Sequence, residues 1–463
     1  MTCNNSLENK QLDILGSVPS LFKLYTQISF IYASGGKDQH QIEYHVTTTL
    51  RRGLDDLSKQ LPWLSGKVVN EGSSPGKTGT CCIVKTSEIP LVVKHFDKAA
   101  LTIEKLDDAR YPFTMLDEGL VAPCMTLNLP GQQVGLVAET GPVLAVQLNF
   151  MPDGLILTIV AQHNVMDMVG QTSIMTWLSN ACRGTRLTQE ELAIATIDKS
   201  RVLTLFDKDW TPDEAWLDRL QIKPAAATQT QAQDGTSPTV TWGYVAFSME
   251  SVAALKRIAT ETKDSDSSYI TSDDAVCALI WKCLSRARAT RLDANSSTVF
   301  ARAVDLRARM GVPTSYPGTL TNMTYNHSLL DTVSAEPLGK IAANLRSQLN
   351  SPKLARDTRA LATVLDRSDD KGSLSITAPV DSSTGIMLSS WASVKLYDLD
   401  FGLDLGHPLA VRRPAFIPVE SLMYIMPKSP SSGGAIVGMC LREQDWTQLS
   451  HDGEWAQYAS YIG

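Results

Sequence analysis

Two apolar runs, GPVLAVQLNF at 141–150 and GLILTIVAQ at 154–162, flank the turn residues MPDG, and this pattern predicts a β-hairpin of two buried strands. The next segment, MVGQTSIMTWLSNAC at 168–182, has apolar residues at helical spacing and stops at Arg183 and Gly184, so it predicts a helix packed on that hairpin. Farther along, WGYVAFS reads as a strand, MESVAALKRIATET as a helix and TSDDAVCALIWKCLSRARATR as a second helix. Thr271 and Ser272 are its cap candidates, with Asp273 and Asp274 in its first turn. GIMLSSWASVKLYDLDF at 385–401 is strand-like again.

Between the two groups, from 205 to 240, small and polar residues replace hydrophobic periodicity, which predicts a crossover linker. No short repeat is present. The expectation is an α+β protein of two similar-sized halves, residues 1–204 and 241–463.

Composition narrows the function classes. A chain of 463 residues exceeds the size at which one core keeps growing. The net charge of −7 is spread without a run of like charges, which argues against a nucleic-acid partner. The first thirty residues carry no secretory pattern and no stretch approaches eighteen apolar residues, so a cytoplasmic protein without membrane association is expected. Eight cysteines lie scattered without CxxC pairs, which predicts reduced core thiols and no metal. EGSSPGKT at 71–78 approaches a phosphate-cradling loop, but Glu71 stands where its first glycine belongs, so it reads as a surface turn.

The candidate chemistry lies at the end of the hairpin. His163 closes an apolar strand and Asp167 stands where the helix begins. An aspartate there caps backbone N–H groups, and a lone histidine is commonly structural. A neutral imidazole at a strand end between two domains also suits a general base for a hydroxyl.

His163-Asn-Val-Met-Asp167 resembles the HxxxD motif of the CoA-dependent acyltransferases called the BAHD superfamily. Other segments follow in that family's order: the helix after the crossover, AVDLRARM with Asp305 and Arg307, SSW at 389–391, and DFGLDLGHP at 400–408, which is similar to DFGWG. QLDILGSVPSLFKLYTQISF, YPGTLTNMTY and RRPAFIPVESLMY resemble its fungal branch, which acetylates secondary hydroxyls of sesquiterpenoids such as trichothecenes. Leu403, Asp404 and His407 depart from the usual DFGWG loop, and Met168 replaces the glycine that usually follows the HxxxD aspartate.

The resemblance implies two chloramphenicol-acetyltransferase-like domains of mixed sheets and helices, with a channel between them and a monomeric enzyme using acetyl-CoA as co-substrate. It implies His163 as the base, Asp167 paired with an arginine and orienting the turn, and Asp400, beside Gly402, paired with Arg307 across a domain contact. It also implies Ser390 and Trp391 near the oxyanion, Lys256 and Ser272 on CoA, and direct transfer without an acyl-enzyme. Other fungal alcohols, or a binding protein that kept the fold, stay open. A peptide-synthetase condensation domain is disfavoured, because Gln162 replaces the first histidine of its HHxxxDG.

Overall fold

The computed structural model describes residues 10–22, 24–97, 101–127, 139–212, 238–264, 269–374 and 380–463. Most of the 205–240 segment assigned to a crossover lies outside the described residues. The hairpin forms as expected: Leu144–Met151 pairs antiparallel with Gly154–Gln162, with Met151 opposite Gly154. Gly154–Gln162 is buried at every position, which explains why it reads as a continuous apolar run and not an alternating one. It lies centrally in a five-stranded sheet ordered Ala410–Arg412, Tyr25–Ala33, Gly154–Gln162, Leu144–Met151, Leu91–His95. The helix Met168–Cys182 lies against Gln39–Gln60 so closely that a Cβ at Gly53 would meet Cys182 Sγ at 2.3 Å.

The second large sheet has seven strands, ordered Thr321–Leu329, Ser297–Asp305, Ile386–Ser390, Leu422–Ile425, Ala435–Arg442, Val240–Phe247, Ala459–Tyr461. Behind it packs Ser272–Arg288, whose Val276, Ile280 and Leu284 share one core with Phe300, Ile386 and Met423. Its start carries the cap that the sequence indicates: Thr271 accepts from the Asp274 N–H while Asp274 accepts from the Thr271 N–H. A smaller four-stranded sheet includes Gly66–Glu71 and Thr80–Lys85, and EGSSPGKT begins at the end of the first of these and runs into their connection.

The halves interleave. After Ile386–Ser390 the chain returns to the first sheet, where Ala410–Arg412 becomes its edge strand beside Tyr25–Ala33, and Leu396, Tyr397, Phe401 and Leu403 enter the first core. Among the described residues six cysteines have free thiols. Cys82 is disulfide-bonded, unlike the uniformly reduced set expected. No described helix is long and apolar enough to cross a membrane.

Candidate active site

The turn after Gly154–Gln162 is tied at both ends by backbone bonds. The His163 N–H donates to Leu24 O at 2.7 Å, and the N–H groups of Val165 and Met166 both donate to Gln162 O. Asp167 then caps Met168–Cys182, accepting from the Gly170 N–H at 2.9 Å. Gln162 and residues 164–168 are buried, while His163 is partly exposed. The local folding thus turns one side chain outward from an otherwise sealed turn.

The cap is half of the role of Asp167. Its carboxylate also accepts from Arg307 through Nη1 at 3.1 Å and Nη2 at 2.9 Å, from the Leu320 N–H at 2.7 Å and from Thr321 Oγ1 at 2.9 Å. Burial alone would raise this carboxyl. The Arg307 charge and these donors outweigh it and hold the group below the usual carboxylate range. Arg307 is fully buried and also donates to Tyr316 O, Gly318 O and Asp305. Gly170 and Gly318 permit this approach, since a Cβ at Gly170 would lie 2.8 Å from Gly318 O.

The expected pairing of Asp400 with Arg307 is therefore wrong. Arg307 spends its donors on Asp167, Asp305 and two carbonyls, while Asp400 is exposed and accepts from the Gly402 N–H at 2.8 Å. In that loop Gly402 has φ +65°, a conformation that suits glycine, and its carbonyl meets His45 Nε2 at 3.0 Å. Leu403 is buried where the related loop has tryptophan, Asp404 takes φ +57°, and His407 Nδ1 meets Tyr397 O at 3.0 Å. The departures are accommodated by packing.

His163 faces a cavity of about 930 Å³ lined by both halves, including Leu21, Leu24 and Met168 from one and Asp273, Ser390 and Trp391 from the other. Burial lowers the imidazole pKa, the nearby Arg413 charge adds to this, and Asp167 and the residue's own backbone oppose it. The ring is thus kept neutral, as a base requires. Nδ1 is buried without a partner on another described residue. That leaves Nε2 to meet a substrate.

The remaining expected site residues divide. Ser390 and Trp391 line the cavity, but Ser390 Oγ donates to Asp273 at 2.6 Å and Trp391 Nε1 donates to Ser389 Oγ at 3.0 Å. With both donors engaged, neither is free for an oxyanion in this arrangement. Lys256 is exposed on Met249–Glu261 and Ser272 opens Ser272–Arg288; neither lines this cavity.

Sequence reasoning missed a second tether. Buried Lys199 donates to Val165 O at 2.9 Å within the turn and lies 3.7 Å from buried Asp13. Asp13 accepts from Tyr316 and, at 3.0 Å, from the Thr319 N–H, and Thr319 Oγ1 donates to His163 O at 3.0 Å. YPGTLTNMTY was visible as a segment of resemblance, but nothing local marks Asp13 or Lys199 as reaching it.

A neutral histidine turned into a large cavity between two interleaved α+β halves, held by a buried carboxylate and arginine, defines an acyl-transferring enzyme of the two-domain type. Residues 24–182 match the trichothecene 3-O-acetyltransferase-like N-terminal domain, and residues 122–456 match the Transferase family. The chain belongs to that family and to its trichothecene 3-O-acetyltransferase-like branch. It is 47% identical to a trichothecene 3-O-acetyltransferase of Saccharomyces cerevisiae, across 99% of this chain and 96% of that one. It is 44% identical to trichothecene 3-O-acetyltransferase TRI101 of Fusarium sporotrichioides, across 98% and 97%. The crystal structure of F. graminearum TRI101 complexed with coenzyme A and deoxynivalenol superposes with a TM-score of 0.90 at 41% identity, covering 98% of this chain and 100% of that one.

Proposed function

We propose that this protein transfers acetyl from acetyl-CoA to a secondary hydroxyl of a trichothecene-type sesquiterpenoid, at the 3-position, in a self-protective or detoxifying role. The observation that carries this reading is His163, kept neutral by burial and turned into a cavity that two distant parts of the chain line together. The relatives named for this reaction, and the TRI101 structures bound to coenzyme A and T-2 or deoxynivalenol, supply the substrate class.

His163 Nε2 takes the hydroxyl proton as the oxygen attacks the thioester carbon, and the carbonyl electron pair moves onto oxygen. Collapse of that intermediate breaks the C–S bond, and the imidazolium returns its proton to the CoA sulfur. Transfer is direct. Cys277, a cysteine on the cavity wall, is poorly suited to carry the acyl group, because burial pushes its thiol above the ordinary range. Lys256 and Ser272 are retained as CoA contacts outside the cavity, a lysine for phosphate and a hydroxyl beside a helix start for the pantetheine arm. A cytoplasmic location and a monomeric state belong to the same reading.

The test uses acetyl-CoA with trichothecenes that carry or lack a free 3-hydroxyl, followed by mass measurement and initial rates. A single acetyl added only to the 3-hydroxy compounds, with intersecting double-reciprocal plots, is expected. Parallel plots with a stably acetylated cysteine would overturn direct transfer, and no acetylation of any compound would overturn the acceptor.

A further inference from the structure

Arg413 lies on the cavity wall at the seam, immediately after the edge strand Ala410–Arg412, and is only 3% exposed. Its neighbour Arg412 is also buried but donates to three backbone carbonyls, those of Tyr111, Val411 and Arg110. Arg413 has no such satisfaction. Among the described residues its side chain makes one long hydrogen bond, Nη2 to Thr126 Oγ1 at 3.5 Å, its Nε is buried without a partner, and no carboxylate pairs with it. What surrounds the guanidinium is aromatic: the ring centroids of Phe416, Tyr424 and Trp391 lie 4.3, 4.6 and 5.8 Å from Cζ.

A buried charge without a counter-ion is expensive, and aromatic faces offset only part of that cost. Such a cation is suited to a negative charge that exists only transiently. In acyl transfer that charge is the oxyanion formed when the hydroxyl oxygen bonds to the thioester carbon, and it vanishes when the C–S bond breaks. The hydroxyl of Ser390 and the indole N–H of Trp391 are engaged elsewhere. We propose that Arg413 is a catalytic residue, donating from its guanidinium to the oxyanion of the tetrahedral intermediate. The inference rests on the acyl-transfer reading above. The same cation also lowers the pKa of His163, so it serves both the base and the intermediate.

The test compares wild-type protein with Arg413→Gln and Arg413→Lys in two reactions, acetyl transfer to a 3-hydroxy trichothecene and the slower hydrolysis of acetyl-CoA by water, which needs the same oxyanion but no trichothecene. Arg413→Gln is expected to lower kcat by about 10²- to 10³-fold in both, with KM for acetyl-CoA within about threefold. It should also move the acidic limb of the pH profile to higher pH, because removing the cation raises the His163 pKa. Arg413→Lys, which keeps the charge but not the forked donors, should lose about tenfold with the limb unmoved.

A wild-type kcat in Arg413→Gln, or a loss with an unmoved limb, overturns the assignment. If that variant does not fold, Arg413→Lys decides alone, and a wild-type kcat overturns it. Wild-type hydrolysis without transfer overturns only the acceptor reading. A protein inert in both assays overturns the reading and the inference together.

Discussion

The HNVMD turn and the DFGLDLG loop both resemble family motifs, the second with departures at Leu403 and Asp404, yet they use their aspartates in opposite ways. Asp167 is 3% exposed and accepts from the Gly170 N–H of the helix it caps and, across the seam, from Arg307, the Leu320 N–H and Thr321. Asp400 is exposed and accepts from an N–H two residues away, while Phe401 and Leu403 beside it enter the core. The first carboxylate ties two halves of the chain together. The second shapes a turn so that its apolar neighbours can fasten the loop. A motif letter therefore does not reveal depth, and depth decides whether a charge carries energy or only geometry.

The sharpest contrast lies in turnover. His163→Ala should reduce kcat by about 10²- to 10⁴-fold, as for the loss of a general base, with a melting temperature within a few degrees of wild type. Near wild-type turnover would remove the base from the mechanism. A steady-state assay beside a thermal melt separates the outcomes.

Next in size is stability at the seam. Asp167→Ala strands fully buried Arg307 and should cost about 3–5 kcal/mol in denaturant unfolding. Because the folded carboxyl sits below its ordinary 3.8, its contribution is present above that pH and lost as pH falls below it. Wild type should therefore lose its advantage over Asp167→Ala on acidification below about pH 4. A gap between the two proteins that does not shrink at all as pH falls from about 4 would contradict the ion-pair account.

The smallest effects belong to the other loop. Gly402→Ala, at φ +65°, should cost about 1 kcal/mol in backbone strain, and Asp400→Ala about 0.5 kcal/mol, with turnover nearly intact in both. Abolished turnover in Asp400→Ala with an unchanged melting curve would make Asp400 chemical and erase the contrast. The comparison is read from the two melting curves measured beside those of the seam variants.

The local elements were legible because their determinants are local. The hairpin at 141–162 follows from two apolar runs and a turn, the helix at 272–288 from its cap, and His163 from its place at a strand end. EGSSPGKT could be set aside from one missing glycine. What was not legible is pairing over distance: Asp167 and Arg307 stand 140 positions apart, and Asp13 and Tyr316 303. The sequence contains both aspartates and the arginine, and either pairing satisfies a rule that buried charges need partners.

By itself, then, the chain determined its strands, its helix starts, the histidine at the end of the apolar run and the family to which these belong, since each depends on neighbours within a few residues. Tertiary structure alone decided that Arg307 belongs to Asp167, that Ser390 and Trp391 are engaged elsewhere, and that Arg413 is buried among aromatic rings facing the same cavity as His163. The reason is physical. Whether a polar group is buried, satisfied or free depends on which distant atoms close around it, and those atoms belong to segments far apart in the chain.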